Sequence, residues 1–110
     1  MNKEIKKLWL EALRSGKYKQ GRGQLHNPSE NVFCCLGVLC DIVDKNNIYK
    51  PERMIRQNDF ELFDSLYGIL STPMQKITGL DMRIGKDLYK MNDRQRKSFT
   101  EIADYIEKAL

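Results

Sequence analysis

Apolar residues at Ile5, Leu8, Trp9, Ala12 and Leu13 recur at i, i+3, i+4, i+7 and i+8, while Lys3, Lys6, Lys7 and Glu11 take the other faces. That period predicts an amphipathic first helix, with Asn2 placed to cap its start and Gly16 its end. Past Gly16 the period is lost. Lys17 to Gln24, followed by Leu25, His26, Asn27 and Pro28, reads as a loop or an irregular extended segment. A second helix is expected from about Val32 to Asp44, capped by Ser29 or Asn31, because Phe33, Leu36, Val38, Leu39, Ile42 and Val43 nearly encircle its axis. It is the natural centre of the core. Gly37 within it costs about 1 kcal/mol of helix propensity relative to Ala, for which a close helix crossing or backbone approach is the natural compensation.

Lys45 to Pro51 reads as a connection with a short strand at Ile48 and Tyr49. Phe60, Leu62, Phe63, Leu66 and Tyr67 suggest a third helix that stops near Gly68, and Thr72-Pro73 opens a short fourth one ending at Gly79. From Leu80 to Met91, the residues Met82, Ile84, Leu88 and Tyr89 give no clean period, so a strand pair or a loop around Gly85 stands level with a helix. Ser98 and Glu101 form a capping-box pattern ahead of the stripe Ile102, Ala103, Ile106 and Leu110, which marks a last helix. The expected fold is mainly α: a small compact helical domain, 1–110, with at most a short β-hairpin.

Composition narrows this further. With 110 residues, 41% of them hydrophobic, the chain supports one core, and a homo-oligomer is a ready way to cover additional apolar surface. No apolar run approaches the roughly 18 residues of a membrane helix, so no membrane association is expected and the location expected is the cytoplasm. The three cysteines, Cys34, Cys35 and Cys40, cannot all pair within one chain, which fits a reducing compartment. One histidine, His26, and the lack of a Cys-x-x-Cys spacing leave no metal site to propose, and no cofactor is implied.

The net charge of +4 is unevenly spread. Residues 1 to 24 carry seven Lys/Arg against two Glu, whereas residues 25 to 47 carry Lys45 against Glu30, Asp41 and Asp44. A cationic front of this kind concentrates anions, and it also simply keeps a small protein soluble.

Within that front, Gly16 to Gln24 holds three glycines, Lys17, Lys19, Arg22, Tyr18, Gln20 and Gln24. Glycines let backbone N–H groups approach a phosphate, the cations neutralise it, Tyr18 offers a stacking face, and glutamine amides read polar edges. This is the chemistry of a nucleotide-binding loop, although neither the Walker spacing nor Gly-x-Gly-x-x-Gly is present and a solvated turn is the plain alternative. Cys34 or Cys35 near a helix start, with His26 as base, would suit a nucleophile, but their apolar neighbours favour core packing. Trp9 reads as a core anchor on the apolar stripe. Arg94, Arg96 and Lys97 suit a second anion contact or plain solvation. Asp41, Asp44, Asp104 and Glu107 show no metal-ligand pattern, and Asp41 suits capping or pairing with a basic loop residue.

Three blocks carry a resemblance: Trp9 to Gly16 with Tyr18, Gln20, Gly21, Gly23 and Leu25; Phe33 to Asp41; and Met91 to Asp93 with Ser98, Phe99 and Glu101 to Glu107. Together they resemble a group of small proteins encoded by tailed phages and prophages, with a looser match from Lys45 to Leu80. The resemblance implies a genomic setting rather than a reaction. In that setting one expected role is counter-defence, including the sponges that sequester nucleotide immune signals without cleaving them. The reading adopted is non-catalytic binding of a phosphate-bearing nucleotide signal, a cyclic nucleotide or an ADP-ribose derivative, by a homo-oligomer in the host bacterial cytoplasm. The residues expected to carry it are Lys17, Tyr18, Lys19, Gln20, Gly21, Arg22, Gly23, Gln24 and His26. The alternatives are an inhibitor that binds nucleic acid or a host protein and, less favoured, a cysteine-dependent enzyme.

Overall fold

In the computed structural model, which describes residues 1–46 and 72–110, helix α1 spans Lys3–Ser15. Asn2 Oδ1 accepts the Ile5 amide at 3.0 Å, and Gly16 ends the helix in the left-handed region at φ 78°. Both ends are therefore closed by the residues that the pattern nominates. Ile5, Trp9 and Leu13 form the buried stripe, and it faces α2 (Cys35–Lys45) and α5 (Phe99–Ala109). Trp9 is fully buried, and its indole N–H donates to the Cys35 carbonyl at 2.9 Å. The ring thus fills the core and satisfies one backbone acceptor.

Helix α2 begins three residues later than the periodicity predicts, because Val32–Phe33 form strand β2, paired antiparallel with β1 (His26–Asn27). Ser29 and Asn31 lie in the hairpin turn and cap no helix; Cys34, in an extended conformation, is the N-cap. The turn has its own chemistry. Asn27 Oδ1 accepts the Ser29 amide at 3.0 Å, and Asn31 adopts φ 53°, a conformation that asparagine tolerates better than most residues. Phe33 is held from its other side as well. Its N–H donates to the Lys19 carbonyl at 2.9 Å and its carbonyl accepts the Gly21 amide at 2.7 Å. Of the two expected forms, loop or irregular extended segment, the part around Lys19 to Gly21 takes the extended one, lying as a third strip against the hairpin.

The remainder of α2 is the centre of the core, with every residue from Cys35 to Cys40 buried, together with Ile42 and Val43. A Cβ at Gly37 would lie 1.8 Å from the Leu25 carbonyl oxygen, so the expected close approach is that of the chain just before the hairpin.

The short helix α3 (Thr72–Thr78) ends at Gly79, φ 72°. The region from Met82 is one continuous helix, α4 (Met82–Asp93), rather than a strand pair or loop around Gly85. Its buried face is Gly85, Leu88, Met91 and Asn92, which keeps helical spacing but contains a glycine and an asparagine, so apolarity alone does not reveal it. Asp81 caps it by accepting the Arg83 amide at 2.6 Å, a bond that holds the Asp81 carboxyl below its usual range. Helix α5 carries the expected capping box: Ser98 Oγ accepts the Glu101 amide at 3.2 Å, and Glu101 Oε1 accepts the Ser98 amide at 3.0 Å. The described residues thus form a compact, mainly helical arrangement of five helices and one two-stranded hairpin. The strand expected at Ile48 and Tyr49 and the helix expected from Phe60 to Gly68 fall outside them. Among the described residues, no helix is long and apolar enough to cross a membrane.

Candidate functional site

Eight of the nine nominated residues divide into two groups, with Gln24 in neither, and the division falls in the middle of the glycine-rich segment. Lys17, Tyr18, Lys19 and His26 line a cavity of about 730 Å³, within the usual range for small-molecule sites. Gln20, Gly21, Arg22 and Gly23 turn the other way and are tied to the C-terminal end of α4.

The second group is held by Asn92, which is fully buried. Its Oδ1 accepts from Gln20 Nε2 at 2.8 Å and from the Cys35 amide at 3.2 Å, and its Nδ2 donates to the Gly21 carbonyl at 2.9 Å and to Asp93 Oδ1 at 2.8 Å. Gln20 Nε2 also reaches the Lys97 carbonyl at 2.8 Å, and Arg22 Nε donates to the Asn92 carbonyl at 3.1 Å. The Gly23 amide donates to Asp93 Oδ2 at 2.8 Å, so a carboxylate of the same chain already occupies the donor expected to face a phosphate. The Gly21 amide is committed to Phe33. Gln24 is exposed and its Nε2 donates to the His26 carbonyl at 3.1 Å. Polar readout by Gln20 and anion binding by the Gly21 and Gly23 amides would require these bonds to break first.

The first group meets residues that were assigned other tasks from the sequence. Phe33 forms the aromatic centre of the cavity: the His26 ring stacks on it at 4.2 Å with an interplanar angle of 18°, and Tyr18 meets it edge-on at 5.1 Å. His26 Nε2 lies 3.1 Å from Asn31 Oδ1, a contact that ties the ring to the hairpin turn. Asp41, on α2, accepts the Tyr18 hydroxyl and pairs with Lys45 Nζ at 3.1 Å. The same ammonium lies 5.4 Å from the centre of the Tyr18 ring. Burial, followed by the bond to Asp41, raises the Tyr18 pKa well above its usual value, so the phenol stays protonated.

Charge around the cavity comes from Lys17, Lys19 and Lys45 against Asp41 and Glu30. Because Asp41 and Lys45 neutralise each other, the cations left over are Lys17 and Lys19, both exposed. The role of Lys45 and Asp41 was hidden in the sequence by the surrounding apolar run. Their one usable signal is a charged i, i+4 pair on a helix otherwise buried on nearly all sides.

The two thiols considered as nucleophiles are buried. Burial pushes the Cys34 thiol up to about 12 and likewise raises that of Cys35 well above its ordinary value, while Cys35 Sγ donates to the Leu88 carbonyl at 3.7 Å. This is the environment of packing thiols rather than of activated thiolates. Arg94 and Arg96 are exposed, whereas Lys97 borders a separate groove with Lys90 and Tyr105. Among the described residues, no three His, Cys, Asp or Glu side chains gather as a metal ion would need.

Comparison with known proteins places the chain in a family described as a domain of unknown function (DUF8296), which matches residues 1–86; the chain belongs to that family. The matched segment contains the whole cavity lining but ends before Asn92 and Asp93. No curated protein and no solved structure matches the chain.

Proposed function

Since the family is described only as a domain of unknown function, we propose from the site itself that this protein binds and sequesters a phosphate-bearing, nucleotide-type ligand without altering it chemically. The observation that carries the reading is the meeting of an aromatic cluster, Tyr18, His26 and Phe33, with Lys17 and Lys19 in a cavity of about 730 Å³. Aromatic faces suit a base and the ammonium groups suit its phosphates. The backbone bonds from Phe33 to Lys19 and Gly21 hold that strip in place before ligand arrives, which lowers the ordering cost of binding.

The resemblance to phage and prophage proteins supports a counter-defence role for this capture. The ligand is then a nucleotide immune signal of the infected bacterium, and the protein acts in stoichiometric amounts as a cytoplasmic homo-oligomer. Calorimetric titration with cyclic dinucleotides and ADP-ribose derivatives tests the reading. At least one should bind and be recovered intact, and a Lys17→Ala/Lys19→Ala variant should bind it at least tenfold more weakly, since the loss of even one charge-assisted contact costs about 1.5–3 kcal/mol. Failure of the whole panel to bind, or full affinity in the double variant, would overturn it.

A further inference from the structure

Within the cavity, one charged group has a different character from the others. Glu30 lies on the hairpin turn, lines the cavity and is exposed, and no described residue pairs with its carboxylate. Asp41, the other acid of the cavity, is occupied by the Tyr18 hydroxyl and Lys45. A phosphate gains nothing from a carboxylate beside it, so a contact from Glu30 to a phosphate-bearing guest suits a part of that guest other than its phosphate. Two cations and one anion that form no ion pair among the described residues, set around an aromatic cluster, therefore suit a ligand with an anionic end and a hydrogen-bond-donor end.

We infer that the cavity selects guanine among the bases, with Glu30 accepting from the base while His26 and Phe33 support its face and Lys17 and Lys19 hold the phosphate. This rests on the nucleotide reading above and deepens it. An ionised carboxylate is an acceptor only, with two oxygens that receive two parallel donors well. Guanine presents adjacent N1–H and N2–H donors on its pairing edge and meets that need. Adenine offers one N6–H beside the N1 lone pair, cytosine one N4–H beside the N3 lone pair, and uracil a single N–H between two carbonyls, so each sets an acceptor against the carboxylate. A site built on paired donors and acceptors rejects the analogue that lacks them more strongly than a purely apolar pocket does.

The experiment is a titration of GMP, AMP and IMP into isotope-labelled protein, followed by amide chemical shifts up to millimolar nucleotide. GMP should bind at least tenfold more tightly than AMP, with IMP, which lacks the N2 amino group, between them. Glu30→Gln, on an exposed turn, should leave the fold intact and bring GMP down towards AMP without weakening AMP. Equal binding of GMP and AMP, or a preference that survives Glu30→Gln, overturns the guanine assignment while leaving the nucleotide reading standing. If none of the three nucleotides shifts the amides of Lys17 to Lys19 and His26, the guanine assignment falls, while the nucleotide reading is decided separately by the titration with cyclic dinucleotides and ADP-ribose derivatives.

Discussion

Residues 17–19, Lys-Tyr-Lys, and residues 20–23, Gln-Gly-Arg-Gly, adjoin in one cationic polar segment, yet they do different work. The first strip leaves its ammonium groups exposed beside a cavity, whereas the second sends Gln20 into a buried asparagine and gives the Gly23 amide to Asp93. The positive charge that both carry does not separate them. What separates them is the opposite surface: the first strip faces the hairpin and the polar edge of α2, and the second faces the end of α4, where Asn92 and Asp93 supply partners. A glycine-rich cationic segment is thus as much an intramolecular tether as an anion cradle, and only the neighbouring element decides which.

The comparison can be broken most forcefully where the chain emerges from the tethered strip. Leu25 runs against α2 so closely that a Cβ at Gly37 would sit 1.8 Å from its carbonyl oxygen, and two backbones cannot yield as a side-chain tip can. Gly37→Ala should therefore cost about 4 kcal/mol, more than the usual overpacking penalty, despite the better helix propensity of alanine. Urea unfolding followed by circular dichroism gives the value; a stable variant would mean that Leu25 moves freely and that the strip is not fixed from this side.

Asn92→Ala comes next. It removes the acceptor for Gln20 and the Cys35 amide and the donor to the Gly21 carbonyl, leaving buried polar groups without partners. With about 1–3 kcal/mol for a group stranded in this way, and partial rescue by water, a loss of about 3 kcal/mol is expected. Hydrogen exchange should quicken in residues 20–23 more than in residues 17–19. Equal quickening in both strips would show that they move as one.

How far the sequence discloses this arrangement depends on whether the deciding contact is local. The caps of α1 and α5 and the buried face of α2 follow from neighbours three or four residues apart, and Asn2, Gly16, Ser98 and Glu101 announce them. The hairpin is concealed because Val32 and Phe33 continue the apolar run of α2 without a break, and its pairing partners lie at Lys19, Gly21 and His26. Helix α4 is concealed because its buried face spends two positions on Gly85 and Asn92. In the cavity, Lys17, Tyr18, Lys19 and His26 are legible from residue chemistry, while Phe33, Asp41 and Lys45 are not, since each has an adequate local explanation as core, cap or surface. Asn92 acts across 72 residues of chain to Gln20, a distance at which no periodicity carries information.

Tyr18 sits in the middle of the cavity-facing strip, half-buried against Asp41. Its folded pKa is raised above the ordinary value of 10.0, first by burial and then by Asp41, so the folded state holds the phenolic proton more tightly than the unfolded chain. The resulting stabilisation is fully present below pH 10 and is lost as the pH climbs through the folded value. The buried thiols add an alkaline loss of their own, because the folded Cys34 value is about 12. The difference between wild type and Tyr18→Phe isolates the phenol: near neutrality the variant should be about 1 kcal/mol less stable from the lost hydrogen bond, and the gap should narrow above pH 10. A gap that stays constant with pH would mean that Tyr18 does not hold its proton against Asp41.

The smallest effect belongs to the cavity-facing strip and is the most telling for function. Lys17 and Lys19 are exposed, neither takes part in an ion pair among the described residues, and Lys17 and Lys19 contribute to the fold through their backbones. Replacing both by alanine leaves those backbone bonds in place, so the change in unfolding free energy should stay within about 0.5 kcal/mol. The same replacement is the one expected to weaken nucleotide binding by about tenfold. Stability that barely moves while affinity falls would separate a surface kept for a ligand from one kept for the fold, and a loss of stability comparable to that of Asn92→Ala would mean that the two strips are tethers alike.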